Sequence, residues 1–338
     1  MKAIGQTVYG GPEVLQAFLD LPEPTPGPRD LLVRVHAIAT NPVDMKVRAG
    51  GPAGAPVPNG PRILGWDASG VVEAIGADVQ GFRPGDEVYF AGSIARAGCY
   101  AELAVVDERI AARKPRRLSH VDAAAIPLTA LTAWEAIVEN MGVAPVDHSS
   151  EAPKSLLVVG GAGGVGSIAI QIASQVCGLR VVATASRPET AAWCTKLGAD
   201  AVIDHTKPLL AQLQERGFDG VDLVLNTAPP EHNFAQVAEA LRPFGHVCGI
   251  VGPGAALDVS PLFRKRCHLS FELMFTRPIF GVEMERQGAI LARVADLLDQ
   301  GVLATTRTTT MDWSEIQAAH RMLDSGRSVG KTVLRVLP

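Results

Sequence analysis

SLLVVGGAGGVGSIAIQ, residues 155–171, is the part of the sequence that indicates the fold most directly. It places a short apolar strand directly before a glycine-rich turn, Gly161-x-Gly163-x-x-Gly166, and an apolar helical segment directly after it. In such a unit the first glycine permits the tight turn, the second lets the backbone approach a pyrophosphate, and the third lets the helix pack on the strand. The helix N-terminus then offers N–H groups and a positive dipole end to phosphate. The sequence therefore predicts a dinucleotide site at Gly161, Ala162, Gly163, Gly164, Val165 and Gly166, with a structural turn that binds no ligand as the alternative.

Apolar runs and helical segments alternate around this turn. The runs are 156–159, 181–185, 201–203, 223–225 and 247–251, and helical segments separate them. Buried β-branched runs that alternate with helices are typical of a parallel, doubly wound sheet. A polar break that contains proline, from Pro145 to Lys154, precedes this α/β section.

The sections on either side have a different pattern. Residues 1 to about 125 are rich in Gly and Pro and contain short β-branched runs at 31–36, 70–75, 87–90 and 102–106. Turn signals separate these runs, which predicts an irregular all-β region, either a barrel or a sandwich. Beyond about residue 275 the sequence predicts a long helix over 285–300, an amphipathic helix over 314–323 and a final strand over 331–336.

Length and composition restrict the class of protein. At roughly 150 residues per domain, 338 residues correspond to about two domains. Hydrophobic residues make up 47% and charged residues 20%, which excludes disorder over most of the chain, and the net charge of −4 offers no footprint for nucleic acid or an anionic membrane. The five cysteines form no CxxC pair, so free thiols are expected. With neither a signal-peptide core nor a run of ~18 apolar residues, we expect a soluble, cytoplasmic protein that binds small molecules.

The end of the second α/β strand indicates which dinucleotide binds. An NAD site usually has an acidic residue there to hold the ribose hydroxyls. Here the run 181–185 is followed by Ser186 and Arg187, and a guanidinium can bind a 2′-phosphate bidentately. The sequence therefore predicts NADP(H). The alternative is that Ser186 and Glu189 form a capping box and that Arg187 is merely solvated.

Motifs along nearly the whole chain resemble those of one superfamily. They are Asn41-Pro-Val-Asp44, Arg48-Ala-Gly50, Gly65-Trp-Asp-Ala-Ser-Gly70, Arg83-Pro-Gly-Asp-Glu-Val88, Gly98-Cys-Tyr-Ala-Glu102, Leu131-Thr-Ala-Trp134, Leu197-Gly-Ala-Asp200 and Gly330-Lys331. With the glycine turn, they resemble the medium-chain dehydrogenase/reductase superfamily, its zinc-independent quinone oxidoreductase branch, and the bacterial zinc-type alcohol dehydrogenase-like proteins. The resemblance implies an α/β protein in which a GroES-like β-barrel catalytic domain, residues 1–125 completed by 276–338, carries an inserted Rossmann domain, residues 126–275. It also implies an active-site cleft between the domains and a homodimer.

Zinc ligands of the superfamily have no equivalents here. The Gly-His-Glu position reads Gly65-Trp66-Asp67, the first Cys position reads Asn41, and the third ligand would fall near Leu128. Trp and Leu cannot coordinate zinc and an Asn amide is a poor ligand, so we predict no metal. Without a Lewis acid, ordinary alcohol oxidation is disfavoured. A conjugated acceptor remains suitable, because its anion delocalises onto a remote oxygen.

The resemblance to the superfamily implies candidate catalytic and pocket residues. Asn41 could donate to an acceptor oxygen, or it could simply begin a turn, and the hydroxyl of Thr132 resembles one that lies beside the nicotinamide. Asp67 is expected to pair with a cation such as Arg48. The candidate pocket residues are Asp44, for which the sequence favours a structural role, Trp66, which could shape an apolar floor or pack in the core, and Phe275, which could cover the nicotinamide.

Further cofactor contacts are predicted at the carboxyl ends of the parallel strands. Asn226 ends the fourth strand, and 249–252 should lie alongside the nicotinamide, including Gly249 and Val251. His205, after the third strand, resembles a family position that contacts the adenosine side of the cofactor, and a surface residue is the alternative. Lys331 is predicted either to reach a cofactor phosphate or to lie in an exposed loop.

The function that these features favour is NADPH-dependent hydride transfer to a quinone or an α,β-unsaturated carbonyl without a metal. The alternatives are a zinc-free enoyl or aldehyde reductase and a non-catalytic NADPH-binding redox sensor. Segment 41–52 contains no Tyr, where some quinone reductases have one. The proton donor, the natural substrate and its stereochemistry therefore stay unassigned.

Overall fold

A computed structural model of the chain describes residues 1–145 and 153–337. The chain forms two compact units: the first contains Met1–Leu128 and the chain from Phe275 onward, and the second contains Thr129–Met274. Most of the predicted polar break, at 146–152, lies outside the described residues.

The first unit begins with eight strands and two helices. The strands are β1 (Ala3–Gln6), β2 (Gln16–Phe18), β3 (Asp30–Ala39), β4 (Arg62–Ile63), β5 (Ala68–Ile75), β6 (Glu87–Phe90), β7 (Leu103–Asp107) and β8 (Ala111–Arg113), and the helices are α1 (Pro42–Arg48) and α2 (His120–Ala123). Short 3₁₀ turns occupy Pro12–Val14 and Glu108–Ile110. In β3, alternate residues from Leu31 to Ala37 are fully buried, so one face of this strand forms the core.

The second unit is built around six parallel strands. The strands are β9 (Ser155–Val159), β10 (Arg180–Thr184), β11 (Ala201–Ile203), β12 (Val221–Asn226), β13 (Leu241–Gly249) and β14 (His268–Phe271). The helices are α3 (Pro127–Trp134, which begins in the first unit), α4 (Gly164–Gln171), α5 (Pro188–Lys196), α6 (Leu209–Glu215), α7 (Phe234–Ala240) and α8 (Ser260–Arg264). π-helical turns at Glu135–Asn140 and Ile172–Val176 extend α3 and α4, and a 3₁₀ turn occupies Pro230–His232.

The strand order of this sheet is β11-β10-β9-β12-β13-β14, and all its pairs are parallel. Every residue of β9 is buried, as expected for a strand that has helices on both faces. The predicted doubly wound parallel sheet is therefore confirmed. The order reverses between β9 and β12, which is the place where such sheets bind ligands.

The C-terminal segment returns to the first unit. Its elements are α9 (Thr276–Phe280), α10 (Glu285–Asp299), β15 (Arg307–Asp312), a 3₁₀ turn (Trp313–Glu315), α11 (Ile316–Asp324) and β16 (Lys331–Arg335). Strand β16 pairs with β3 on one side and with β15 on the other. The resulting sheet has the order β15-β16-β3-β5-β6-β8, with β7 also on β3, and a smaller sheet has the order β2-β1-β4. The two ends of the chain thus share one sheet.

One helical stretch, His120–Asn140, is long and apolar enough to cross a membrane, with 21 residues and a mean hydropathy of 1.4. The protein buries 83% of its apolar window. Burial of this extent is typical of a core helix.

Candidate functional site

The glycine-rich turn joins β9 to α4 in the second unit. Gly160 has φ +77°, a left-handed conformation that favours glycine, and its N–H donates to Thr184 Oγ1 at 2.9 Å. The tight turn predicted for Gly161 is therefore made by Gly160. Gly163 is the N-cap of α4, so the N–H groups of the first helical turn have no acceptor within the helix.

The three glycines of the motif differ in their surroundings. A Cβ on Gly161 would lie 2.7 Å from Ala183 Cβ, and a Cβ on Gly166 would lie 2.3 Å from the Gly160 carbonyl oxygen. A Cβ on Gly163 would meet only that carbonyl oxygen, at 3.4 Å. Internal packing thus explains Gly161 and Gly166 but does not explain Gly163. An open side at Gly163 is what close approach of a pyrophosphate requires, so these residues fit a dinucleotide.

Several predicted cofactor residues lie at the carboxyl edge of the parallel sheet. Gly249 is the last residue of β13 and pairs in register with Asn226, which in turn pairs with Val159 at the end of β9. His205 is exposed in the turn after β11, and Val251 is half-buried beyond β13. This edge brings together the ends of the strands on both sides of the reversal in strand order.

The Asn226 side chain has a structural role that the sequence did not predict. Its amide exchanges two hydrogen bonds with the amide of Asn233, at 2.9 and 3.0 Å, and its Oδ1 also accepts the Ala228 N–H at 3.2 Å. The side chain is buried. It shapes the loop after β12, and the predicted contact of Asn226 with the cofactor stays a prediction.

Ser186 and Arg187 follow β10 at the same edge. Ser186 is exposed, and Arg187 is the N-cap of α5. The predicted capping box of Ser186 and Glu189 is wrong, because Thr190 Oγ1 accepts the Arg187 N–H at 3.2 Å and donates to the Arg187 carbonyl at 2.8 Å. Arg187 Nε contacts Glu189 Oε1 at 2.6 Å, with the side chains 37% and 63% exposed. Exposed pairs of this kind contribute about 0–1 kcal/mol, so this one can yield to a phosphate.

In the first unit, the turn between β3 and α1 contains Asn41 and Asp44. Asp44 Oδ2 accepts the Asn41 N–H at 2.8 Å and thereby closes the turn. The Asn41 amide nitrogen donates to the Ala39 carbonyl at 3.3 Å and to Asp67 Oδ2 at 3.1 Å. Both amide hydrogens are used, so the structure contradicts the prediction that Asn41 donates to an acceptor oxygen.

Lys331 and Asp67 form a buried ion pair beside this turn. Lys331 Nζ lies 3.0 Å from Asp67 Oδ2, and it also donates to the Thr40 carbonyl at 2.9 Å and to Asn41 Oδ1. An ammonium has three hydrogens, and all three are used. Both predictions for Lys331 are therefore wrong: it reaches neither a phosphate nor an exposed loop. The pairing of Asp67 with Arg48 is also wrong, because Lys331 supplies the cation.

The residues at the positions of the superfamily's zinc ligands do not fit a metal ion. Trp66 is buried and meets Phe275 edge to face, with ring centroids 6.5 Å apart, and Leu128 is buried as well. The oxygens of Asn41 and Asp67 already accept hydrogen bonds from Lys331. Within residues 1–145 and 153–337, no group of three or more His, Cys, Asp or Glu side chains is placed to hold a metal. These residues therefore do not provide the set of ligands that zinc requires.

A chain of buried hydrogen bonds extends from Asp44 to the surface. Tyr100 Oη donates to Asp44 Oδ2 at 2.7 Å and lies 3.2 Å from His320 Nε2. Arg48 Nη1 lies 2.7 Å from His320 Nδ1. Arg48 Nη2 contacts the carboxylate of Asp324 at 2.8 and 3.0 Å. These hydrogen bonds connect α1 with α11.

Tyr100 and His320 belong to this cluster although neither was predicted as a site residue. Tyr100 lies inside one of the superfamily motifs, and His320 follows Ile316 by four residues on the buried face of α11. A histidine on the apolar side of an amphipathic helix needs a buried partner, and this signal was available in the sequence.

Burial shifts the pKa values of Asp44 and His320, which these hydrogen bonds link. Desolvation raises the pKa of Asp44 to about 7, although the hydrogen bonds from Tyr100 and Asn41 oppose that shift. Desolvation, with a contribution from Arg48, lowers the pKa of His320 to about 3. Near neutral pH, His320 is therefore uncharged while Asp44 is divided between its two protonation states.

Thr132, the remaining predicted catalytic residue, is buried in the part of α3 that belongs to the second unit. Of the candidates in the first unit, Asn41, Asp44 and Lys331 form one cluster, and Trp66 packs with Phe275. The structure thus groups the predicted residues by unit.

Known proteins match the chain over its whole length. Residues 27–116 match the family model for the alcohol dehydrogenase GroES-like domain, and residues 197–334 match that for the zinc-binding dehydrogenases. A zinc-type alcohol dehydrogenase-like protein of Staphylococcus aureus is 37% identical, covering 93% of each chain. The 2-methylene-furan-3-one reductase of Solanum lycopersicum is 31% identical, over 100% of this chain and 80% of its own. The structure of Escherichia coli quinone oxidoreductase complexed with NADPH has a TM-score of 0.85 and 25% identity, covering 99% of this chain and 100% of its own.

Proposed function

Because the chain belongs to the medium-chain dehydrogenase/reductase superfamily and is an oxidoreductase of that superfamily, we propose that it transfers hydride from NADPH to a quinone or an α,β-unsaturated carbonyl without a metal. The observation that carries the proposal is the buried Lys331–Asp67 pair, whose ammonium also binds Asn41, the residue at the position that resembles the first zinc-ligand position. An ammonium has no vacant orbital and cannot replace a metal as a Lewis acid, and this one has used its three hydrogens within the cluster.

Chemistry without a metal suits a conjugated acceptor. When bound, the nicotinamide supplies the hydride. A quinone or enone delocalises the resulting charge onto an oxygen, where a hydrogen-bond donor can stabilise it. A simple alcohol or aldehyde lacks this delocalisation and needs stronger polarisation. The residues of this chain therefore favour the conjugated class of substrate.

The names of two relatives support the same class. The tomato protein is a reductase of a furanone with an exocyclic methylene group, and the Escherichia coli protein is a quinone oxidoreductase that was solved with NADPH. By these names, both proteins act on conjugated oxygen compounds. The zinc-type name of the Staphylococcus aureus relative describes that protein.

The decisive experiment measures NADPH oxidation by chelator-treated protein with ortho-quinones, enones and simple aldehydes. We expect turnover of quinones or enones, unchanged by chelation, and little turnover of aldehydes. Dependence on added zinc would contradict the proposal. Turnover of aldehydes alone would favour a zinc-free aldehyde reductase, and tight NADPH binding without turnover would favour a redox sensor.

NADPH preference is part of the proposal and depends on Arg187. Replacing Arg187 with Gln removes the guanidinium that would bind the 2′-phosphate, so we expect the Kd for NADPH to rise about tenfold or more. The Kd for NADH should change little, because NADH has no 2′-phosphate. Titration of cofactor fluorescence measures both constants.

Glu189→Gln is the matched control, because it removes the carboxylate that contacts Arg187 at 2.6 Å. It should retain or improve the affinity for NADPH, since no carboxylate then competes with the phosphate for the guanidinium. If the Kd of NADPH were unchanged in Arg187→Gln, or if NADH bound the wild-type protein as tightly as NADPH, the assignment to NADP(H) would be wrong.

We further propose a homodimer that pairs through the edge strand β14. Its Leu269 and Phe271, two residues apart, are 36% and 49% exposed, and Leu273 beyond it is 52% exposed. An apolar edge strand of this kind is a template for pairing with another chain. Sedimentation equilibrium measures the oligomeric state directly.

The five free thiols are consistent with the reducing cytoplasm, which we propose as the location of the protein.

A further inference from the structure

One oxygen atom of Asp44 is buried without a partner among the described residues. Asp44 is fully buried, and its Oδ1 has no hydrogen-bond partner within the described part of the chain. Leaving a carboxylate oxygen buried and unpaired is costly, and such atoms are rare in native proteins. The atom therefore requires either a proton of its own or a ligand that pairs with it.

The hydrogen bonds on the far side of Asp44 have a fixed direction. Arg48 has only donors, so His320 Nδ1, 2.7 Å from Arg48 Nη1, must accept. A neutral His320 then carries its proton on Nε2 and donates to the Tyr100 oxygen. The Tyr100 hydroxyl must in turn donate to Asp44 Oδ2, as its 2.7 Å contact allows.

This direction determines which oxygen of Asp44 can hold a proton. Oδ2 accepts two hydrogen bonds, one from the Tyr100 hydroxyl and one from the Asn41 N–H. A proton on Oδ2 would face these two donors. A neutral Asp44 therefore carries its proton on Oδ1, the atom without a partner.

The neighbouring polar groups cannot serve as acids. The amide hydrogens of Asn41 and the three hydrogens of Lys331 are all used within the cluster. The pKa of Tyr100 is raised well above its ordinary value, first by desolvation and then by Asp44. Thr40 Oγ1 and Trp66 Nε1 are also buried without a partner within the described residues, but a hydroxyl and an indole N–H are far weaker acids than a carboxyl. Asp44 is thus the acid of this cluster.

We propose that Asp44, through the proton on Oδ1, is the proton donor to the oxygen of the reduced acceptor, and that Tyr100, His320 and Arg48 are positioning residues. The proposal rests on the proposed function. As hydride bonds to the acceptor, an electron pair moves onto the acceptor oxygen. A new O–H bond forms there while the Asp44 O–H bond breaks. The carboxylate then regains a proton from water, so each turnover consumes one hydride and one proton.

The charged groups around Asp44 predict the direction of a pH effect. Burial and Asp67 raise the pKa of Asp44, and Tyr100, Asn41 and Lys331 lower it, giving a value of about 7. His320, which is neutral, contacts Tyr100 and not Asp44, and Arg48 in turn contacts His320. Burial raises the pKa of the Cys99 thiol far above neutrality. The proton-donating form is lost as pH rises through about 7. Turnover should therefore fall about tenfold per pH unit above that value.

The test compares Asp44→Asn and Tyr100→Phe with the wild-type protein. The amide introduced by Asp44→Asn keeps an oxygen that accepts from Tyr100 and Asn41 but has no acidic proton, so kcat should fall about 100-fold or more and lose its pH dependence. Tyr100→Phe removes a hydrogen bond to the carboxylate. This raises the pKa of Asp44 and should move the profile to higher pH.

Tyr89→Phe is the matched control for the loss of a buried hydroxyl. Tyr89 is as buried as Tyr100, and its hydroxyl donates to the Leu291 carbonyl in the same unit, so its removal should leave the pH profile in place. Infrared titration of the protein without cofactor gives a readout that does not depend on activity. The band of a protonated carboxyl should be present at pH ~6, weaken at pH ~8 and be absent in Asp44→Asn.

The outcomes separate this proposal from the proposed function. Full turnover and an unchanged pH profile in Asp44→Asn would overturn it, as would a wild-type infrared spectrum without the carboxyl band. If wild-type protein reduced no quinone or enone at any pH, the proposed function would fail, and the role of Asp44 as donor would fail with it. The infrared result would still show whether Asp44 holds a proton near neutral pH.

Discussion

Replacing Lys331 with Met is expected to lower the free energy of unfolding by about 3 kcal/mol, because it leaves Asp67 buried without its cation. Asp67 is fully buried, and the 3.0 Å contact with Lys331 supplies its positive charge. For a unit of this size the loss corresponds to a Tm lower by about 6 °C or more. Thermal unfolding followed by circular dichroism measures it.

The loss should also depend on pH. Burial raises the pKa of Asp67 above its ordinary value, and without Lys331 nothing in the pair opposes that shift. Below this raised pKa the variant buries a neutral carboxyl, and above it the variant buries a charge. The destabilisation should therefore be smaller at acidic pH and grow as pH rises.

Lys265→Met is a matched control for Lys331→Met. Lys265 also donates to three oxygens, but these are the carbonyls of Ala238, Glu239 and Leu241, and the side chain is only half-buried. Its removal leaves no buried charge, so it should cost less, about 1 kcal/mol. Equal losses in the two variants would refute the special status of the ion pair.

Gly163→Asp is expected to raise the Kd for NADPH about 100-fold while leaving the thermal stability unchanged. Asp is a favourable N-cap residue, and the site has room for its Cβ, 3.4 Å from the Gly160 carbonyl. In the bound state, however, its charge and volume would face the pyrophosphate. Fluorescence titration with NADPH and a melting curve provide the two measurements.

Two further variants show whether the glycines have separate roles. Gly163→Asn has the same shape without the charge, so its Kd should lie between those of the wild type and Gly163→Asp. Gly166→Ala should instead cost about 1–3 kcal/mol of stability, since its Cβ would lie 2.3 Å from the Gly160 carbonyl. If Gly163→Asp bound NADPH normally, the turn would not be a pyrophosphate site.

Sequence patterns predicted the regular elements well where local and tertiary preferences agree. Strands over 87–90 and 201–203 have the predicted bounds. Strand β13 begins six residues earlier than predicted, at Leu241 in place of Val247. Its first part contains Pro243 and Gly245 and a left-handed Phe244, which together suggest a turn in the sequence. Pairing with β12 holds at Leu241 and resumes at His246, so residues 242–245 form an irregular stretch of β13 that keeps this local preference.

The cofactor turn was more predictable than the cluster around Asn41. The turn is a local motif in which spacing alone places the glycines between a strand and a helix. Lys331, by contrast, reaches Asn41 across 290 residues of sequence, so no spacing rule could pair them. The direction of the hydrogen bonds from Arg48 to Asp44 likewise depends on three-dimensional contacts. These contacts assign roles to residues that were only candidates from the sequence.

The pairing of β16 with β3 has a consequence for the order of events during synthesis. The dinucleotide unit is one continuous segment, Thr129–Met274, and it can collapse as soon as that segment has left the ribosome. The first unit lacks an inner strand, and Asp67 lacks its ammonium, until residues 331–335 have been translated. Nascent chains stalled before Gly330 should therefore protect the glycine turn from protease while leaving the end of β3, residues 37–39, open to cleavage.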